Sequence, residues 1–230
     1  MQINKQLNYK KLSSSSKKRG FTLAEVLLVI TIIGIIASYT VPSLLNSVQD
    51  KLYQTGFKKA YSNLSNIQMQ MISDNGGSLK GVFADQDQLL TKFESYLIYA
   101  KKCTWGADYG FCWAADAEFL NGLLMSDYEQ DSMGFILNDG SFLRLILDNT
   151  DCSNTNGTLG SICAKATIDI NGFKGPDVVG KDIFWFWIRA NDIKPFGSQG
   201  DWFSTNDPCT DGSTAALNYG ESCSAKKLFQ

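Results

Sequence analysis

Residues 21–37 read FTLAEVLLVITIIGIIA, and Ser38, Tyr39, Thr40 and Val41 extend the run toward Pro42. About 20 apolar residues in a helix cross the hydrocarbon layer of a membrane. The flanks of this run are asymmetric. Lys5, Lys10, Lys11, Lys17, Lys18 and Arg19 precede it, and residues 1–20 hold no acid. The positive-inside rule keeps that basic side in the cytoplasm and sends the C-terminal body outward. A secretory signal peptide has a similar basic head and apolar centre. Here the polar segment before the run is long, and the run is longer than a usual signal core and carries a carboxylate, Glu25, near its start. A simple signal anchor accounts for everything except Glu25 and the Arg19-Gly20-Phe21 junction.

Glu25 is the informative residue. An ionisable group inside a membrane helix costs roughly 2–3 kcal/mol at the bilayer centre, so it normally has a partner. A cut between Gly20 and Phe21 would create an ammonium at Phe21, within reach of the Glu25 carboxylate in the same chain or on a neighbouring one. The alternative is a glutamate close enough to the interface to be hydrated. The stretch Lys18-Arg19-Gly20-Phe21-Thr22-Leu23-Ala24-Glu25-Val26-Leu27-Leu28-Val29-Ile30 resembles the class III signal of type IV pilins and type II secretion pseudopilins. The resemblance covers roughly a tenth of the chain but is highly specific, and the 20-residue leader is longer than the shortest in the family. It implies that a membrane aspartyl peptidase, the prepilin peptidase, cuts after Gly20 and N-methylates Phe21. It also implies that Glu25 meets the N-terminus of an adjacent subunit during assembly on an inner-membrane platform. Gly34 and Pro42 match positions where family helices loosen in the filament. Physically, Pro42 removes a backbone donor and Gly34 weakens the same stretch.

After Pro42 the pattern becomes amphipathic. Leu45, Val48, Leu52, Tyr53, Phe57, Ala60, Tyr61, Leu64, Ile67 and Met71 recur at spacings of three and four, which is one face of a helix. Asp74-Asn75-Gly76-Gly77 supplies the stop. One long helix from residue 21 to about 74 is therefore expected. Residues 85–99 predict a second helix capped by Asp85 or Asp87, and residues 113–122 a short third. Residues 135–137 and 142–147 around Asn138-Asp139-Gly140 predict a hairpin. Residues 164–170 and the very apolar DIFWFWI at 182–188 predict two more strands. The expected class is α+β: a long N-terminal helix, membrane half plus amphipathic half, packed on a small antiparallel sheet with disulfide-stapled loops. The expected organisation is a leader over 1–20, a transmembrane and assembly helix over 21–41, and a periplasmic or extracellular head over 42–230. Residues 190–230 read as surface loop with little regular structure.

The 230 residues suffice for one compact domain plus an extra segment. Net charge is −2, and with the six leader cations set aside the rest of the chain carries −8, which argues against nucleic acid as the head's partner. There is no histidine, so Ser-His-Asp and Cys-His catalysis and His-ligated metals are excluded. No phosphate loop or nucleophile–base pair stands out, so the chain reads as a non-enzyme. Six cysteines, Cys103, Cys112, Cys152, Cys163, Cys209 and Cys223, form three local couples with no CxxC. Three nearest-neighbour disulfides in an oxidising compartment are expected, the first closing a loop with Trp105 and Tyr109. Each stabilises the fold by roughly 3 kcal/mol in the chain-entropy model.

Asp169, Asn171, Asp177 and Asp182 lie around Gly172, Gly175 and Gly180. They offer the oxygens calcium prefers, but without the terminal glutamate of an EF-hand loop. Asx and Gly residues are also what tight turns use, so a structural turn without cofactor is the expectation and calcium the alternative. Trp185 and Trp187 alternate with Phe184 and Phe186 and read as core; with Trp202 and Phe203 the alternative is an exposed binding patch. A filament subunit of a type IV pilus or secretion pseudopilus, in a homo- or hetero-filament at the bacterial inner membrane, accounts for these features together. A minor tip subunit acting as adhesin or DNA-uptake receptor is the alternative.

Overall fold

A computed structural model describes residues 20–104, 112, 113, 117–125, 133–206, 209 and 219–229. The chain divides into two compact units, Met1–Asn46 and Ser47–Gln230. Helix α1, Leu23–Asp74, contributes to both. Its residues in the first unit are predominantly apolar and none is buried, and α1 is long and apolar enough to cross a membrane. Gly34 and Pro42 lie within continuous helix. The hydroxyls here are satisfied by the turn below them: Thr31 donates to the Leu27 carbonyl at 2.8 Å, Ser38 to Ile35 at 2.7 Å and Thr40 to Ile36 at 3.0 Å. Such internal satisfaction is what an apolar solvent requires of polar groups.

In the second unit, the amphipathic stripe of α1 becomes core only from its middle onward. Phe57, Leu64, Ile67 and Met71 are buried, whereas Val48 and Leu52 stay exposed. Gln68 is buried among them, where a hydrophobic residue would be expected. Its Nε2 donates to the carbonyls of Arg189 and Asp192 at 2.6 and 2.7 Å, which ties the helix to the sheet. The helix stops at Gly76 and Gly77, both with positive φ, and the Gly77 N–H returns to the Ile72 carbonyl at 2.8 Å.

Helix α2 is Gln86–Glu94, capped by Asp85, whose carboxylate accepts the Gln88 N–H at 2.7 Å. It is shorter than the predicted 85–99. The apolar run after it leaves the helix because Tyr99–Cys103 forms strand β1 against β2, Met133–Leu137, with the Tyr99 and Phe135 rings 5.1 Å apart. Strand β2 and strand β3, Phe142–Leu147, form the predicted hairpin, with Gly140 at φ +86° in its turn. Strand β4 is Asn154–Asn156, β5 Leu159–Asp169, β6 Ile183–Arg189 and β7 Ile193–Pro195.

All pairings are antiparallel, in the order β1-β2-β3-β5-β6-β7, with β4 beside the start of β5. The sheet is larger than predicted because β1, β4 and β7 carry little apolar alternation of their own and are held by their neighbours' ladders. The predicted helix at 113–122 is absent among its described residues: Glu118 instead bridges Leu124 and Val178.

Strand β6 explains how the sheet is buried. Phe184, Phe186 and Ile188 face α1, where the Phe57 ring lies 4.2 Å from Phe184 and 5.3 Å from Phe186. Trp185 and Trp187, 1% and 5% exposed, face the other way into a second core with Phe196, Leu159 and Ile162. The C-terminal region covers that back face, which corrects the expectation of a surface loop. Helices α3, Phe203–Asn206, and α4, Cys223–Phe229, are formed there, and Cys223, Ser224 and Ala225 are buried. Aromatic anchoring is the reason. The Phe196 ring stacks on Trp187 at 4.0 Å and on Phe203 at 5.0 Å, and the Trp187 indole N–H donates to Asp201 at 2.9 Å. Trp202 alone of the four candidate aromatics is exposed. Disulfides join Cys103 to Cys112, Cys152 to Cys163 and Cys209 to Cys223. Trp105 and Tyr109 lie outside the described residues.

Candidate functional site

The N-terminal site is built on the start of α1. Gly20 lies before the helix, outside regular secondary structure, and Phe21 is 88% exposed. Thr22 and Glu25 then satisfy each other reciprocally. The Glu25 carboxylate accepts the Thr22 N–H at 2.8 Å and the Thr22 hydroxyl at 2.9 Å, while the Glu25 N–H donates back to the Thr22 oxygen at 3.2 Å. This is a capping box, and it satisfies amide donors that the first helical turn would otherwise leave open. The negative charge also lies at the positive end of the helix dipole. Thr22 is Glu25's partner in this arrangement, and reasoning from the membrane run passes over it. The signal for it was present as Thr-x-x-Glu at 22–25, just ahead of an apolar stretch. Its effect is to turn Glu25 toward the N-terminal end of the helix, beside the backbone of residues 21 and 22.

Gly34 has open space around its α-carbon, and Pro42 leaves the carbonyl one turn before it without the usual amide partner. Both are points of reduced helix stability within an otherwise regular segment.

The second cluster is acidic and belongs to the connection between β5 and β6. Carboxylate oxygens of Asp169, Asp177 and Asp182 lie within 4.8 Å of one another. Asp169 ends β5 and accepts the N–H groups of Asn171 and Gly172 at 3.1 and 2.9 Å. Asp182 precedes β6 and accepts those of Asp177 and Val178 at 2.9 and 2.7 Å. Two carboxylates therefore close two turns of the same loop, with Gly172, Asp177 and Gly180 at positive φ. Asn171 donates to the Lys174 carbonyl and lies 3.5 Å from the Tyr53 hydroxyl.

Burial pushes the Asp169 carboxyl well above the usual carboxylate range, and the neighbouring charges of Asp182 and Asp177 push it further. Burial also raises Asp182, against the amides it accepts. Oxygen donors alone suit a hard cation such as calcium. In this geometry, however, Asp169 and Asp182 already serve the backbone of the loop, and that is the role the contacts show.

Comparison with known proteins bears on the first site. Residues 15–40 match the model of the prokaryotic N-terminal methylation motif. No curated protein and no solved structure matches the chain. The matched segment contains Gly20, Phe21, Thr22, Glu25 and Gly34, and ends two residues before Pro42. An apolar helix beginning at Leu23, capped by a Thr–Glu pair and followed by a disulfide-bonded α+β unit, thus carries over residues 15–40 the methylation motif that is the signature of type IV pilins and pseudopilins.

Proposed function

We propose that this chain is a structural subunit of a type IV pilus or a type II secretion pseudopilus. In this reading a prepilin peptidase cuts between Gly20 and Phe21 and methylates the new amine. The basic leader, residues 1–20, is removed, α1 anchors the subunit in the inner membrane, and the head stands in the periplasm until assembly. The observation that carries the reading is the methylation motif over residues 15–40, with Glu25 four residues beyond Phe21. The disulfides support an oxidising location for the head.

The chemistry of assembly follows from the capping box. Before cleavage the nitrogen of Phe21 is an uncharged amide, and Glu25 is satisfied by Thr22. Cleavage turns that nitrogen into a cation. In the low dielectric of the membrane a cation and a carboxylate attract far more strongly than in water. A Glu25 presented toward the helix N-terminus is ready to receive the ammonium of a neighbouring subunit. Gly34 and Pro42 would let the segment between them extend as subunits pack. Assembly requires no catalytic group of the chain itself.

Intact-mass measurement of membrane-extracted protein tests the proposal. A chain beginning at Phe21 and carrying one added methyl group is the expected result. A chain beginning near Ala37 would overturn it in favour of an ordinary secreted protein.

A further inference from the structure

The second unit begins at Ser47, and its first turns of α1 are met by two segments distant in sequence. The Tyr53 hydroxyl lies 3.5 Å from the Asn171 amide, in the connection between β5 and β6. Gln54 donates to the Lys227 carbonyl at 3.1 Å, which sets the end of α4 beside the helix. The entry of α1, the β5–β6 connection and the end of α4 thus gather at one end of the head.

This end carries free positive charge. Lys51 and Lys58 are exposed on one face of the helix, two turns apart, and Lys174 and Lys181 are exposed in the connection. Among the described residues none of these four forms an ion pair. The acids nearby are mostly engaged: Asp139 pairs with Lys59 at 2.9 Å, and Asp169 and Asp182 are buried, accepting amides of their own loop. Asp50 is exposed beside Lys51. A cluster of unpaired lysines runs against the balance of a chain that is acidic outside its leader. Two exposed aromatic rings share this end. Phe173, 55% exposed, is propped edge-on against Phe142 with ring centroids 4.6 Å apart. Phe229, 78% exposed, borders a hollow of about 510 Å³ together with Lys226.

We propose that this end of the head is a docking surface for an anionic phospholipid bilayer, with Phe173 and Phe229 entering the headgroup boundary and the four lysines meeting the headgroups. The proposal rests on the reading that α1 anchors the subunit. Three observations select a membrane as the occupant. Basic side chains around exposed apolar rings are the combination that holds proteins on anionic lipid surfaces. Lysine is depleted at the centres of protein–protein interfaces, so the same cluster disfavours a protein partner. Chain length supplies the third. Six residue steps separate Val41, the end of the apolar run, from Ser47, a reach of at most about 20 Å even when fully extended. An anchored chain therefore keeps this end close to the leaflet from which it emerges, and weak individual contacts add up at high effective concentration. Docking of this kind holds an unassembled head against the membrane and is given up when the subunit enters a filament.

The test uses the full chain reconstituted in vesicles, of phosphatidylcholine alone or of an equal mixture with phosphatidylglycerol. Benzoylphenylalanine replaces Phe173, Phe229 or, as control, Trp202, which is also exposed but bonds Asn156 near the start of β5, the strand end opposite Asp169. Crosslinks to lipid are expected from positions 173 and 229 in the mixed vesicles, and not from position 202. Lys174→Glu combined with Lys181→Glu is expected to lower the yield from position 229 by about tenfold, with the melting temperature unchanged because both side chains are exposed. Equal yields from all three positions, equal yields in neutral and mixed vesicles, or crosslinks made instead within the chain or to another protein overturn the docking. Such results from a chain that stays in the vesicles through alkaline carbonate leave the anchored reading standing. A chain that carbonate strips from the vesicles removes that reading and the docking with it.

Discussion

Two carboxylates show how position decides what a charge does. Glu25 lies in an apolar helix and is tolerated because Thr22 gives it two donors and the helix end gives it a favourable field. Glu25→Ala should leave cleavage after Gly20 largely intact and abolish incorporation into filaments. Normal assembly of the mature variant, read by sedimentation of sheared filaments, would sink the role assigned to it. Asp169 is the opposite case, a carboxyl pressed into the protein beside two others. The folded state holds its proton to higher pH than the unfolded chain, whose value is the ordinary 3.8. As pH rises through the interval between those values, the unfolded chain has already released a proton that the folded head still binds. Stability contributed by this group therefore falls with rising pH, and is greatest below the ordinary value. Asp169→Asn keeps the acceptor that Asn171 and Gly172 need but removes the titration. Measured in chelator, it should raise the head's melting temperature at about pH 7 and change it little at about pH 4. A variant that melts lower at both pH values would show that the carboxylate is needed as a charge.

Elements were legible in proportion to how much of their stability is local. The apolar half of α1, a cap for α2 at Asp85 or Asp87 and the Asn138-Asp139-Gly140 hairpin each carry their own signal; the helix and the hairpin form as read, and the structure selects Asp85 of the two caps. Strands β1, β4 and β7 do not. The run Tyr96-Leu97-Ile98-Tyr99 continues a helical pattern, and only the ladder with β2 turns Tyr99 onward into strand. The same limit applies to the sites. The proposed cleavage and assembly residues sit in one short motif, whereas the meeting of Asp169, Asp177 and Asp182 depends on how a loop folds between two strands. Gln68 shows how one residue can tie two elements together. A polar side chain in an apolar stripe looks like an error until its two bonds to the β6–β7 connection are seen. Gln68→Ala should cost about 2–4 kcal/mol, combining lost hydrogen bonds with a cavity at a buried position. Chemical denaturation of the head measures it. A cost near zero would show that the helix is held by its apolar contacts alone.

At the scale of the whole head, a sheet buried on both faces needs two covers, and they are unequal in kind. Helix α1 covers one face with long-range apolar packing around Phe57 and Met71. The other face is covered by short pieces, among them α3 and the start of α4, which are too small to be stable alone and must be pinned. Three pins are visible: the stack of Phe196 between Trp187 and Phe203, the Trp187–Asp201 hydrogen bond, and the Cys209–Cys223 disulfide. The disulfide closes a span of 14 residues onto the first residue of α4, so it restrains an unfolded chain that would otherwise leave the back face open. Replacing both cysteines by serine should cost roughly 3 kcal/mol in the chain-entropy model. The site of the damage should be as diagnostic as its size. Trp185 and Trp187 lie under this cover, and the Ser224 hydroxyl that accepts the Trp185 N–H is next to Cys223. Loosening the cover should therefore wet both indoles and shift their fluorescence to longer wavelength below the main unfolding transition. The same replacement at Cys152 and Cys163, which open onto the α1 side of the sheet, should lower stability without that early shift. If the two double variants lose their fluorescence signature together and only at global unfolding, the two covers are a single cooperative unit, and the C-terminal pieces owe their order to the sheet rather than to their disulfide.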